Sequence, residues 1–197
     1  MPKGIPLTEE EIERRRHEIF HSSVALILKQ GFAGTSMQEI AQAAGVGKST
    51  LYDYFPTKDH VLLFVLEEEL DILHEQSKGI AAQDSPLEEK LTRILEKQLE
   101  FLLNNKNFLV EISMQTMQMG KDGQESVMKR RYAYQDLLRG ILDQGVREGV
   151  FRPVNTRLAT RAMSEMMEVL VYTTRPTGTP WEMLGDVLDM FMHGIKS

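Results

Sequence analysis

Residues 31–59, GFAGTSMQEIAQAAGVGKSTLYDYFPTKD, hold the densest run of local structural signals in the chain. Ser36 with Glu39 three residues on forms a capping box, which opens a helix by satisfying two otherwise orphaned amides. Ile40, Ala41 and Ala44 give that helix a small apolar face, and Gly45 stands where a left-handed residue closes it. Val46 can plug the corner. Lys48 to Tyr54 then predicts roughly two turns of helix, with Leu51 and Phe55 inward and Lys48, Ser49, Thr50 and Tyr52 outward. Two short helices crossing steeply through a tight turn, with small residues at the contact, make a helix-turn-helix. The second helix of that arrangement can enter a DNA major groove.

The segment resembles the DNA-binding signature of TetR-type transcriptional regulators. The matching residues are Gly31-Phe32, Thr35-Ser36, Ile40-Ala41, Ala44-Gly45-Val46, Leu51-Tyr52-Asp53-Tyr54-Phe55 and Lys58. The resemblance covers about residues 8 to 70. Beyond that stretch only the length and the run of helices match. Ser49 departs from the pattern, since many members carry Gly there, and this alters the surface offered to bases. The resemblance implies an N-terminal DNA-binding domain at residues 1–57 and a helical ligand-binding and dimerisation domain at 58–197. The long helix from Lys58 would join the two. In such a protein Lys48, Ser49, Thr50 and Tyr52 would supply base and nearby phosphate contacts. Thr35, Ser36, Tyr54, Thr57 and Lys58 would hold the DNA backbone.

Two shorter patterns point elsewhere. His17-Glu18-Ile19-Phe20-His21 matches H-E-x-x-H, which on a helix sets two imidazoles one turn apart for zinc, with the Glu as general base. A zinc hydrolase built on these residues needs a third ligand, and the longer pattern with a downstream Gly and His is absent; Glu39 is the available carboxylate. The histidines also border the stripe of Phe20, Val24, Ile27 and Leu28, so the expectation is a core margin and no metal. Gly47-Lys48-Ser49 resembles the end of a phosphate-binding loop, but Gln42 occupies the place of its first Gly and the preceding QEIAQAA is helical in pattern.

Composition sets the wider bounds. With 197 residues, 42% hydrophobic and 26% charged, the chain suits an ordinary globular fold with one substantial core or a small module joined to a larger one. The absence of cysteine excludes disulfides, Cys-ligated metal and thiol catalysis, and nothing calls for a cofactor. No apolar run of membrane-spanning length and no apolar leader occur, so the expected location is the cytoplasm. The net charge of −6 counts against nucleic acid, yet the acids Glu9, Glu10, Glu11, Glu13 and Glu18 gather at the start of the first helix, where they suit its dipole. Arg14-Arg15-Arg16 and Lys129-Arg130-Arg131 read as solvated faces.

Along the rest of the chain the helical period recurs and no strand-like alternation does, giving an all-α fold of about nine helices. Thr57 caps a long helix from Lys58 to about Gly79. Ser85, Pro86 and Glu88 are expected to open the next, and Phe108–Met119 a short one. Residues 124–148, Asn155 to about Thr174, and Trp181–Ile195 complete the series. Phe101, Phe108, Glu111, Met114, Gln115, Met117, Tyr134 and Met166 are the candidate lining of an adaptable, mostly apolar effector cavity. The last two helices carry more apolar surface than one partner face can bury. Leu158, Ala162, Met166, Leu170, Leu184, Val187, Leu188, Phe191 and Ile195 are therefore the expected subunit interface. The resemblance implies that these helices pair with their mates as a four-helix bundle.

The reading that unites these features is a homodimeric, ligand-released repressor that is not an enzyme and binds an inverted-repeat operator in double-stranded DNA. A mostly apolar small molecule is its expected effector. The alternatives are the zinc hydrolase and a helical adaptor that binds no DNA.

Overall fold

A Thr or Ser followed three residues later by Glu starts three of the helices. In the computed structural model, the amide of Glu11 donates to Thr8 Oγ1 (3.2 Å) and the amide of Thr8 to Glu11 Oε2 (2.9 Å). Ser36 and Glu39 repeat this at 3.2 and 2.8 Å, and Thr179 and Glu182 at 3.3 and 2.7 Å. Each box satisfies two donors that the helix itself cannot. The structure describes residues 8–106, 109–110 and 121–195.

Among those residues the fold is helical throughout. The elements are α1 (Glu9–Gly34), α2 (Met37–Ala43), α3 (Lys48–Tyr54), α4 (Lys58–Ala81), α5 (Leu87–Asn104), α6 (Lys121–Glu148), α7 (Thr156–Tyr172) and α8 (Pro180–Ile195). The expected helix at 108–119 falls outside the described residues, apart from Leu109 and Val110. Gly31, at φ 78°, breaks the regular helix of α1, and Gly45, at φ 66°, closes α2; both angles lie in the left-handed region that side chains resist.

Two starts differ from expectation. Pro86 itself occupies the N-cap place of α5 in an extended conformation, so the helix begins one residue later and Ser85 is too far back to cap it. The Ser85 hydroxyl is buried with no hydrogen-bond partner among the described residues. Among the described residues helix α6 runs from Lys121 through Gly123, a residue that weakens a helix without stopping it. At α8, Thr179 supplies the cap and Pro180 the first helical residue, where proline's missing amide costs nothing.

The chain divides into two compact units. The first comprises the described residues up to Glu68, with 109–110 and 121–124 grouped to it, and the second those of 69–106 and from Glu125 on. The division falls inside α4 instead of at residue 57, because the first turns of α4 pack on the helices before them. Phe64 lies with its ring centroid 6.2 Å from Phe20 of α1 and 5.0 Å from Phe55 at the end of α3. Ile19, Ile27, Phe32, Ile40, Leu51, Val61 and Leu62 complete that core. Complete burial of Leu51 is worth about 1.5–3 kcal/mol, enough to fix which face of so short a helix points inward.

The second unit is built on α5, α7 and α8, which pack against one another, with Leu91, Ile94, Leu99, Leu138, Leu142, Met163 and Met167 fully buried or nearly so. Gly145 of α6 lies directly beneath the Phe151 ring, and a methyl group there would collide with it. Arg152 then fastens the end of α8: its amide donates to Ile195 O (2.8 Å) and its Nε to Gly194 O (2.6 Å). Arg130 pairs with Asp71 (2.9 Å) and Arg131 with Glu168 (2.7 Å), so both arginines of that basic run join helices of this unit.

Candidate nucleic-acid interface

Leu51, with no exposed surface, and Phe55, buried next to it, pin one side of α3 to the core, and the helical period then turns its other side outward. Lys48 and Ser49 are exposed and Thr50 is half-buried. Tyr52 is exposed, and the Lys48 ammonium stands 6.0 Å from the centre of its ring. This face therefore offers one cation, two hydroxyls and a phenol within two turns of helix. That mixture can donate to base edges and phosphate oxygens alike. Asp53 and Asp59 are exposed as well, so the local charge is nearly balanced.

The residues expected on the DNA backbone are less uniform. Tyr54 is half-buried against Phe55, with ring centroids 6.4 Å apart. Thr57 is exposed, with Oγ1 2.7 Å from His60 Nδ1. Ser36 is exposed, but its hydroxyl donates to Glu39 Oε2 (2.7 Å) and is spent on the cap. Those bonds from the Ser36 hydroxyl and amide, with a weaker one from Gln30, hold the Glu39 carboxyl below its ordinary range.

Two of the expected residues are engaged within the protein. Thr35 is buried and its hydroxyl donates to Gly31 O (2.7 Å), because the break in α1 leaves that carbonyl without a helical partner. It serves the backbone of its own chain. Lys58 is half-buried, and its ammonium donates to Phe32 O (2.8 Å) while lying 4.3 Å from the centre of the Phe32 ring.

His17, Glu18 and His21 are all exposed on α1, with the two imidazole centres 6.4 Å apart and Glu18 facing Arg14 at 3.9 Å. No group of three potential metal ligands gathers among the described residues, and Glu39 is committed to its cap.

In the second unit, Tyr134 is buried and its hydroxyl donates to Gln98 Oε1 (3.0 Å). Burial pushes this phenol far above its ordinary range, only partly offset by Ser77. Phe101 and Met166 are half-buried. Phe108, Glu111, Met114, Gln115 and Met117 lie outside the described residues. A surface groove of about 590 Å³ does occur in this unit, lined by Gln76, Ile80, Arg93, Lys97, Glu100 and Trp181 among other described residues, and not by Phe101, Tyr134 or Met166.

The apolar residues of α7 and α8 separate into two sets. Leu170, Leu184 and Ile195, expected at a subunit interface, are buried inside the protomer because they complete its own core. Ala162, Met166, Val187, Leu188 and Phe191 are half-buried, and Leu158 is 64% exposed. Val169 (60%), Met190 (62%) and Trp181 (50%) are exposed as well. The sequence signal for these three is an apolar residue lying off the buried stripe of its helix.

Comparison with known proteins covers most of the chain. Residues 19–65 match the family of bacterial regulatory proteins called the tetR family, and residues 84–195 match a Tetracyclin repressor-like C-terminal domain. The chain is 22% identical over 184 residues to the Fatty acid metabolism regulator protein of Bacillus subtilis, covering 91% of this chain and 95% of that protein. It is 27% identical over 175 residues to the HTH-type transcriptional repressor KstR2 of Rhodococcus jostii, covering 84% and 82% of the two. The crystal structure of the transcriptional regulator FadR from Bacillus subtilis in complex with stearoyl-CoA superposes with a TM-score of 0.74 at 22% identity, over 91% of this chain and 98% of that one. With its helix-turn-helix and its C-terminal domain both matched in order, the chain belongs to the TetR family of DNA-binding transcriptional regulators.

Proposed function

We propose that this regulator is a homodimeric repressor in which α3 of each copy reads one half of an inverted-repeat operator. The observation that carries the reading is the outward face of α3, where Lys48, Ser49 and Tyr52 are held clear of the core by buried Leu51. Lys48, Ser49, Thr50 and Tyr52 supply the base and nearby phosphate contacts, while Ser36, Tyr54 and Thr57 lie beside the backbone. A seven-residue reading helix has little contact area of its own, so a two-fold mate is needed for useful affinity. The exposed Leu158, Val169, Trp181 and Met190 supply an apolar face for that mate.

Release follows binding of an amphipathic small molecule by the second unit. The likeness to FadR, seen in complex with stearoyl-CoA, and to a fatty acid metabolism regulator supports an acyl-CoA as the class to test first. An inducer must bind the DNA-free form more tightly than the DNA-bound form, since equal affinity shifts nothing. No catalytic step is assigned to the chain.

The deciding experiment is selection of bound fragments from random-sequence DNA, followed by titration with long-chain acyl-CoA. The expected result is a palindromic site whose half-site centres lie about 34–36 Å or somewhat more apart. Affinity should fall steeply with salt and drop when acyl-CoA is added. Enrichment of asymmetric sites only, or of none, overturns the proposal.

A further inference from the structure

The carbonyls at the broken end of α1 are satisfied from three sources. Thr35 Oγ1 donates to Gly31 O (2.7 Å) and Gln30 Nε2 to Gly34 O (3.1 Å), both from within the segment. Phe32 O receives the Thr35 amide (3.1 Å) and also Lys58 Nζ (2.8 Å), from a residue 26 positions later and the first of α4. Phe32 lies past the break at Gly31, where the short run 31–34 holds no basic residue, and Lys58 supplies a cation to its carbonyl from another helix. Its ammonium also lies over the Phe32 ring, 4.3 Å from the centroid, where the negative face of the ring adds to the attraction. Phe32 is buried, so this contact is sheltered from water and salt on one side.

We propose that Lys58 is a positioning residue of the DNA-reading unit, capping α1 from the start of α4 and so fixing that first turn to the corner from which α2 departs. This rests on the operator-binding reading above. A displacement of the first turn of α4 then carries the α1–α2 corner with it, or else breaks a charged hydrogen bond. The phosphate role suggested by the sequence makes a different prediction, because a phosphate contact releases condensed counterions and a contact inside the protein does not.

The experiment titrates the parent, Lys58→Met, Lys58→Arg and, for comparison, Lys48→Met on the fragment the parent selects, across a range of salt. Lys58→Met keeps the apolar stem and removes the cation. It is expected to weaken binding about tenfold at every salt concentration, the size of one lost charged hydrogen bond. The slope of log affinity against log salt should stay at the parent's value. Lys58→Arg should recover most of the loss, while Lys48→Met should flatten the slope by about 0.9 per phosphate contact removed. A comparable flattening in Lys58→Met overturns the proposal. So does a lowered melting temperature with operator affinity unchanged, the mark of a merely structural lysine. Without DNA, amide exchange across residues 36–44 should quicken in Lys58→Met and not in Lys58→Arg. Unchanged protection refutes the cap whether or not a fragment is selected, whereas failure of the parent to select one refutes the regulator reading alone.

Discussion

The two units of this chain treat apolar surface in opposite ways. In the first, the aromatic residues Phe20, Phe32, Phe55 and Phe64 are all buried, and of its described residues Leu28, Tyr52 and Val110 stand out among large apolar side chains. In the second, Ile72, Met128, Tyr132, Leu158, Val169, Trp181 and Met190 are exposed, although its interior is well filled with Leu, Ile and Met. A unit that meets the polyanionic surface of DNA gains nothing from greasy surface and needs a rigid, polar one. A unit that meets another protein gains from the opposite arrangement. The contrast also separates kinds of side chain: aromatic rings knit the first core, and aliphatic packing fills the second.

The sharpest way to break the comparison is to truncate one buried leucine in each unit. Leu51→Ala and Leu184→Ala should each cost about 2–5 kcal/mol in urea unfolding, since both side chains lie in closed cores. Leu51→Ala should also abolish operator binding. If Leu184→Ala left stability intact and only dissociated a dimer, its placement in the protomer core would be wrong.

A smaller effect tests packing within the second unit. Gly145→Ala should destabilise by about 1–3 kcal/mol, because the new methyl meets the Phe151 ring. Gly140→Ala in the same helix meets nothing within 4 Å and should instead stabilise by roughly 0.5–1 kcal/mol. Equal effects from the two substitutions would show that the Phe151 contact does not constrain α6.

Val169→Asp probes the exposed face directly. Sedimentation should show a shift toward monomer at micromolar concentration, with the protomer's helical content unchanged. An unaltered dimer would move the interface elsewhere.

The smallest expected effect concerns the caps. Ser36→Ala should cost about 1 kcal/mol near neutral pH, measured by urea unfolding. Because Glu39 is held below the ordinary 4.5 of a glutamate, its contribution is present above that pH and lost as pH falls through the lower folded value. The difference between parent and Ser36→Ala should therefore narrow below about pH 4.5. A difference constant from pH 7 to pH 3 would mean that the carboxylate plays no part in the cap.

Much of the first unit was legible because its signals are local. Ser36 with Glu39, Gly45, and the spacing of Leu51 and Phe55 each act within one or two turns, and all took the conformations their chemistry requires. The same locality misled at Ser85, where proline took the boundary for itself, and at Gly123, which lies inside α6. Thr35 and Lys58 looked like surface residues because nothing near them in sequence reveals the carbonyls of Gly31 and Phe32 that claim them.

The sequence by itself determined the helical class, the reading motif and the family signature, since periodicity, capping and turn chemistry are properties of neighbouring residues. Only the tertiary structure decided which apolar residues of α7 and α8 face inward. Leu170, Leu184 and Ile195 share a helical stripe with residues left outside, and the choice between them depends on which neighbouring helix reaches each one. The same holds for Lys58, whose partner stands 26 residues away and is brought within 2.8 Å by the packing of α4 on α1. Long-range packing assigns such contacts, and a one-dimensional pattern carries no record of it.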